Sequence, residues 1–214
     1  MAKDFDIQVP KDQYFAKYDH LLRFISYYYQ VDLAKKLKPK TMLEIGIGNR
    51  TVSNYLKEYG FALETCDFDK ELKPDHVADI RDLPMKDNSY DLVMACEIIE
   101  HIPWEDIDHA FSELHRVSKK HVLISTPYTG ADFELIIKTP GMLSIFKKPY
   151  LEFFFKIPLF FKGIKFKGEH YWEMGRKGYP IGKVRKSLRK YFRIIREVRP
   201  ELDTRHHFFV LEKK

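Results

Sequence analysis

Residues 41–50 read TMLEIGIGNR, a β-branched and aliphatic run that stops at a turn built on Gly46 and Gly48. Beyond the turn Val52, Tyr55, Leu56 and Tyr59 recur at helical spacing, and Gly60 stands where a C-cap belongs. The stretch predicts strand, turn, helix. Glycine suits position 46 because the chain must leave the strand sharply, and position 48 because a side chain there would hold a ligand off the backbone. Glu44, two residues before the first glycine, is acidic where a dinucleotide-binding turn normally carries an apolar residue, so the turn suits a ligand with a cationic group.

Working outward, FALETCD (61–67) predicts a second strand, HVADI (76–80) a short third and YDLVMAC (90–96) a fourth. Ile107, Ala110, Phe111, Leu114 and Val117 line one face of a helix running from Trp104, and HVLISTPY (121–128) follows as a fifth strand. Strands alternating with helices make a parallel sheet that binds its ligand at the strands' carboxyl ends. Upstream, Tyr18, Leu21, Leu22, Ile25, Tyr28 and Tyr29 are spaced for one face of a covering helix over 14–38, ended by Pro39. Downstream, YFRIIREV and HHFFVLE are separated only by RPELDTR, too short for a parallel crossover, so they pair as an antiparallel hairpin. The expected fold is therefore α/β, a mostly parallel seven-stranded sheet closed by a C-terminal antiparallel hairpin strand.

Taken together, LEIGIGN, Asp67, Asp79, LPMKDNSYDLV and EIIEHIP resemble, in order and spacing, the class I S-adenosylmethionine-dependent methyltransferases, in particular the small-molecule, type 11-like group. The resemblance covers residues 41–127, and the closing hairpin adds a second region. It implies a three-layer Rossmann-like fold with S-adenosyl-L-methionine as cofactor. It places the cofactor on the turn at Gly46 and Gly48, with Glu44 near its sulfonium and ammonium groups, Asp67 on the ribose hydroxyls and Phe68 on the adenine face. Asp79 and the Ile80 backbone would meet the adenine edge, and Cys96 and Glu97 the methionine moiety. The sequence departs from the family pattern at three places: Arg50 stands at the third glycine, the link from Asp67 to Asp79 leaves little room for a helix, and SKKHV replaces the usual Pro-Gly-Gly.

One domain over 1–214 is expected: the covering helix at 14–38, a cofactor-binding core at 41–128, an insertion or lid at 129–180, and a closing helix and hairpin at 181–214. The net charge of +6 is uneven, since residues 138–199 hold 17 Lys and Arg against 4 Asp and Glu. A basic third on an acidic body suits an anionic partner or is a solvated face. The insertion is dense in Phe and Lys, and Leu151, Phe154, Phe155 and Phe161 are spaced for one face of a short helix pair. That reads as a lid or a dimer contact, or as a surface over 142–168 that meets a membrane or lipid-linked acceptor. Cys66 and Cys96 lie on strands flanking the first and are not expected to bond. The cysteine spacing gives no zinc site and no metal ligand set is readable. With no apolar leader in sight, the expected location is cytoplasmic, with peripheral contact at the inner membrane face as the alternative.

Methyl transfer needs an acceptor placed in line behind the sulfonium methyl, and a base if the acceptor is a hydroxyl. His101 is the first candidate for that base, or else a structural histidine over the pocket; His170, with Tyr171, is the second. No Asn/Asp-Pro-Pro-aromatic turn for holding a flipped base is present, so nucleic acid ranks behind a small-molecule, glycan or lipid-linked acceptor. A non-catalytic cofactor-binding scaffold and an RNA methyltransferase are the alternatives. A monomer and a homodimer fit equally.

Overall fold

The computed structural model describes residues 13–14, 19–166 and 169–214. Its central sheet has seven strands: β1 (Thr41–Ile45), β2 (Ala62–Asp67), β3 (His76–Val77), β4 (Tyr90–Cys96), β5 (Ser118–Pro127), β8 (Phe192–Val198) and β9 (His206–Lys213). They lie in the order β3-β2-β1-β4-β5-β9-β8. The first five run parallel, and β9 is antiparallel to both β5 and β8. The expected fold class is what the structure shows.

The strands read as near-continuous apolar runs because both faces of the sheet are covered. Met42, Leu92, Met94, Leu123, Phe208 and Val210 point to one side, where α1 (Leu21–Leu37) and α2 (Thr51–Glu58) supply Leu33, Ala34, Val52 and Leu56. Their neighbours Leu43, Ile45, Val93, Ala95, Val122, Ile124, Phe209 and Leu211 point to the other, against α3 (Ile107–Val117) and α5 (Ile181–Tyr191). Strand period two thus produces three layers.

Two expectations are corrected. The start of the N-terminal helix, with Tyr18, lies outside the described residues, and in α1 the expected face does not hold: Leu21 and Tyr28 are exposed while Ser26, Gln30, Leu33 and Ala34 are buried. The helix turns a polar stripe inward, and apolar periodicity registers no polar burial; Gln30 Nε2 donates to Ser26 Oγ at 3.3 Å. The insertion is not a helix pair. It is a two-stranded antiparallel hairpin, β6 (Gly130–Ile137) with β7 (Leu151–Pro158), carrying the five-residue α4 (Met142–Phe146) at its tip. Phe154 faces inward, its neighbours Phe153 and Phe155 outward, and Phe161 lies in the loop that follows. Alternation at period two, in a segment rich in aromatic and branched residues, decides for strand once a partner strand folds back beside it. That partner needs Gly130: a Cβ there would stand 2.8 Å from the Ile157 carbonyl oxygen.

Candidate active site

At the carboxyl ends of β1, β2 and β4 opens a cavity of about 540 Å³. Glu44, Gly46, Gly48, Asp67, Phe68, Asp79, Ile80, Cys96, Glu97, His101 and His170 all line it. Residues drawn from positions more than a hundred apart in sequence therefore share one space.

Its floor is the turn after β1. Gly46 has φ +79°, and a Cβ there would fall 1.9 Å from the Ile98 Cδ1 atom. Gly48 also has positive φ and sits under the Tyr14 ring. The Gly46 amide donates to the Cys66 carbonyl at 2.9 Å, and the Ile47 amide to Asp67 Oδ2 at 2.9 Å, which ties the turn to the end of β2. Asp67 also accepts from the Asp69 amide at 3.0 Å. Burial pushes its carboxyl up, and these amides pull it back only in part.

Arg50, at the family's third glycine, adopts the left-handed conformation at φ +63° that a glycine would take there without cost. Its guanidinium turns to the loop after β2, donating from Nε and Nη2 to the Leu72 carbonyl at 3.1 and 2.6 Å and from Nη2 to that of Lys73. It is not among the cavity-lining residues. The departure from the pattern leaves the floor of the turn open.

Two carboxylates differ in what they meet. Glu44 is buried and lines the cavity, and among the described residues its Oε2 has no hydrogen-bond partner. Burial pushes its carboxyl up to about 8, against the opposing pull of Ser53 and Lys57. A buried acid beside the glycine turn, with one oxygen left unsatisfied, fits a ligand bearing an ammonium or sulfonium charge. Asp79, by contrast, is held by Arg81, which donates to both its oxygens at 2.9 and 2.6 Å and reaches Asp106 at 2.7 Å. Burial raises the Asp79 carboxyl, but Arg81 outweighs it and the net shift is downward.

At the end of β4, Glu97 has φ +57° and a buried side chain that accepts from Ser125 Oγ at 2.7 Å. Its other oxygen lies 3.3 Å from His206 Nε2, and His206 Nδ1 bonds Asp203. Burial alone would raise Glu97 and lower His206; the charge each supplies to the other reverses both shifts. The net is an imidazolium between two carboxylates. His101 donates from Nδ1 to the Glu169 carbonyl at 3.1 Å, which places its lone pair on Nε2. Burial, then the neighbouring His170, pushes it down to about 4, so it is neutral near pH 7.

Sequence reasoning missed several lining residues: His206 from β9, Arg81 from the loop after β3, His20 at the N-cap of α1, and Arg23, Tyr27 and Gln30 from α1 itself. The spacing of three and four in α1 was readable; that it faces a cavity was not. Both cysteines are free thiols.

This sheet order, with a glycine turn after β1 and an acidic residue ending β2, is the fold of the class I S-adenosylmethionine-dependent methyltransferases, which the chain resembles. Residues 43–125 match the family described as a methyltransferase domain, and S-adenosylmethionine is the cofactor of that family. Among solved structures, an S-adenosylmethionine-dependent methyltransferase from Clostridium acetobutylicum superposes with TM-score 0.61 at 12% identity, over 94% of this chain and 98% of that one. The 1,6-didemethyltoxoflavin-N1-methyltransferase of Burkholderia thailandensis gives 0.60 at 11%, over 95% and 87%. The N-methyltransferase NodS of Bradyrhizobium japonicum gives 0.56 at 10%, over 96% and 94%. These likenesses are of fold. No curated protein sequence matches.

Proposed function

We propose that the protein moves the sulfonium methyl of S-adenosylmethionine onto a hydroxyl or amine of a small-molecule, glycan or lipid-linked acceptor. The observation that carries this reading is one continuous cavity that runs from the Gly46–Gly48 turn to the imidazoles of His101 and His170. The cofactor would lie on the turn, with Asp67 on its ribose, Phe68 against the adenine face, Asp79 and Ile80 at the adenine edge, and Glu44, Cys96 and Glu97 around the methionine end. The acceptor would enter from the side of the hairpin. The chain's own contribution is to hold the two reactants in line and exclude water, which supplies most of what a displacement at a methyl carbon requires. His101, neutral with its lone pair on Nε2, is the candidate base for a hydroxyl acceptor.

Calorimetry with S-adenosylhomocysteine tests the cofactor half. Wild type should bind, and Asp67→Ala should weaken binding at least tenfold, about 1.4 kcal/mol. A wild type that does not bind would favour a scaffold. Incubation with labelled cofactor and extract separated into lipid, glycan, RNA and small-molecule pools tests the acceptor half, and label in the RNA pool alone would overturn it.

The outer face of the hairpin favours a lipid-linked acceptor among these. Phe133, Leu135, Ile137, Leu151, Phe153, Phe155 and Ile157 are all exposed on it, and Lys138, Lys147, Lys148 and Lys162 flank it. A contiguous apolar face with lysines beside its strand ends is how a protein meets an anionic bilayer from one side. Among the described residues no helix is long and apolar enough to cross a membrane. Sedimentation with anionic vesicles at low salt should show binding that a Phe133→Ser, Phe155→Ser double variant loses. Equal binding by both, or none by wild type, would discard the lipid assignment.

A further inference from the structure

Beyond the cofactor end, the cavity contains three side chains whose arrangement the proposed methyl transfer does not explain. Glu100 is fully buried and lines the cavity, and among the described residues neither of its carboxylate oxygens has a hydrogen bond of good geometry, although the Thr126 hydroxyl lies beside it. Leaving a carboxylate buried and unsatisfied is costly unless something charged completes it. His101 and His170 stand next to it, and one ligand atom from each of the three lies within 4.8 Å of the others. Metal–ligand distances of about 2.0–2.2 Å would bring such atoms to roughly 3–3.5 Å apart, so closure asks for side-chain rotations of about an ångström.

The surroundings of the two imidazoles match what a metal site requires. A histidine ligand donates its second ring nitrogen to a carbonyl or carboxylate, which fixes the tautomer and aims the other lone pair. His101 Nδ1 does this to the Glu169 carbonyl at 3.1 Å, and His170 Nδ1 to Glu173 Oε1 at 3.0 Å. Glu173 is itself fixed by Thr129 Oγ1 and Arg176 Nε, each at 2.6 Å. The Tyr171 amide donates to the Glu100 carbonyl at 2.9 Å and Trp172 Nε1 to that of Ile102 at 3.1 Å, which clamps the His170 segment onto the Glu100–His101 segment. In sequence the two segments are unconnected; in the fold they are fixed against each other.

We propose that Glu100, His101 and His170 bind a divalent transition-metal cation of the Mn²⁺, Co²⁺ or Zn²⁺ kind. Two imidazoles with one carboxylate select such ions over Mg²⁺ or Ca²⁺, and three protein ligands leave positions open toward the cavity. This rests on the proposed acceptor methylation and narrows it to an oxygen acceptor. An acceptor hydroxyl coordinated there is acidified and loses its proton to solvent. The oxygen's electron pair forms the bond to the methyl carbon as the carbon–sulfur bond breaks, and the pair of the broken bond goes to sulfur to leave a neutral thioether. His101 then acts as a ligand in place of a base.

Chelator-stripped protein titrated with Co²⁺ should develop visible absorption bands that saturate at one ion per chain. Glu100→Gln and His170→Gln should each weaken Co²⁺ binding at least tenfold while calorimetric binding of S-adenosylhomocysteine is kept. In wild type, bound Co²⁺ should slow diethyl pyrocarbonate modification of His101 and His170, mapped by mass spectrometry, and leave exposed His109 unaffected; this arm needs no variant to fold. Absence of bands at millimolar Co²⁺, bands unchanged in both variants, or unprotected His101 and His170 would each overturn the site. Failure of wild type to bind S-adenosylhomocysteine would instead overturn the proposed function.

Discussion

Glu44 is a residue whose position and whose chemistry have to be learned separately. The letters LEIGIG place an acid beside the glycine turn, but only burial pushes it up to about 8 and leaves one oxygen without a partner. The folded chain therefore holds a proton on Glu44 between the ordinary 4.5 and about 8 that the unfolded chain has lost. More protons bound in the native state means that the stability Glu44 contributes falls as pH rises across that window, by roughly a few kcal/mol in total. Glu44→Gln should flatten this part of the stability profile, read by thermal melts from pH 5 to 9. In wild type, affinity for the cationic cofactor should rise with pH through about 8 relative to that for S-adenosylhomocysteine, which lacks the sulfonium charge, and the ratio should be constant in the variant. At Gly46 the demand is steric. Gly46→Ala combines a strained positive φ with a methyl 1.9 Å from Ile98 Cδ1, so a loss of about 1–3 kcal/mol is expected in denaturant melts, together with weaker cofactor binding.

At the level of elements, the hairpin differs from the helix pair that its spacing predicts, and the reason is physical. Residues 130–158 contain enough apolar spacing to suggest helices, and strand alternation becomes decisive only when β6 and β7 pair. The inner face is held from elsewhere in the chain. Arg199, just beyond β8, bonds Glu134 at 3.3 Å and Glu152 at 2.7 Å and lies 3.9 Å from the Phe154 ring centroid. No local signal in 130–158 predicts that clasp. Arg199→Ala leaves two part-buried carboxylates facing each other and should loosen the hairpin without unfolding the sheet. Limited proteolysis should then cut first within 138–150, at least several-fold faster than in wild type; an unchanged rate would mean that backbone pairing alone secures the element.

Over the whole molecule, the ion pair of His206 with Glu97 and Asp203 joins the start of β9 to the end of β4, strands separated in the sheet by β5. His206 is raised on folding, so its contribution is complete below the ordinary 6.5 and is lost as pH rises through its folded value. Glu97 is lowered, so its contribution is present above 4.5 and is lost as pH falls through its folded value. His206→Asn strands a buried carboxylate and should cost about 3–5 kcal/mol at neutral pH, measured by chemical denaturation, with the deficit shrinking in acid as Glu97 takes up a proton. The sequence alone determined the alternation of strands and helices, the closing hairpin and the glycine turn, because period-two burial, loop length and the glycine geometry are local constraints written in neighbouring residues. The eleven candidate residues it names line one cavity. The tertiary structure alone decided that Arg50 turns away, that α1 lines the cavity with its polar stripe, and that His170 and His206 meet Glu100, His101 and Glu97. Those are contacts between segments tens to over a hundred residues apart, and no periodicity encodes which distant side chains the fold will bring into one low-dielectric space.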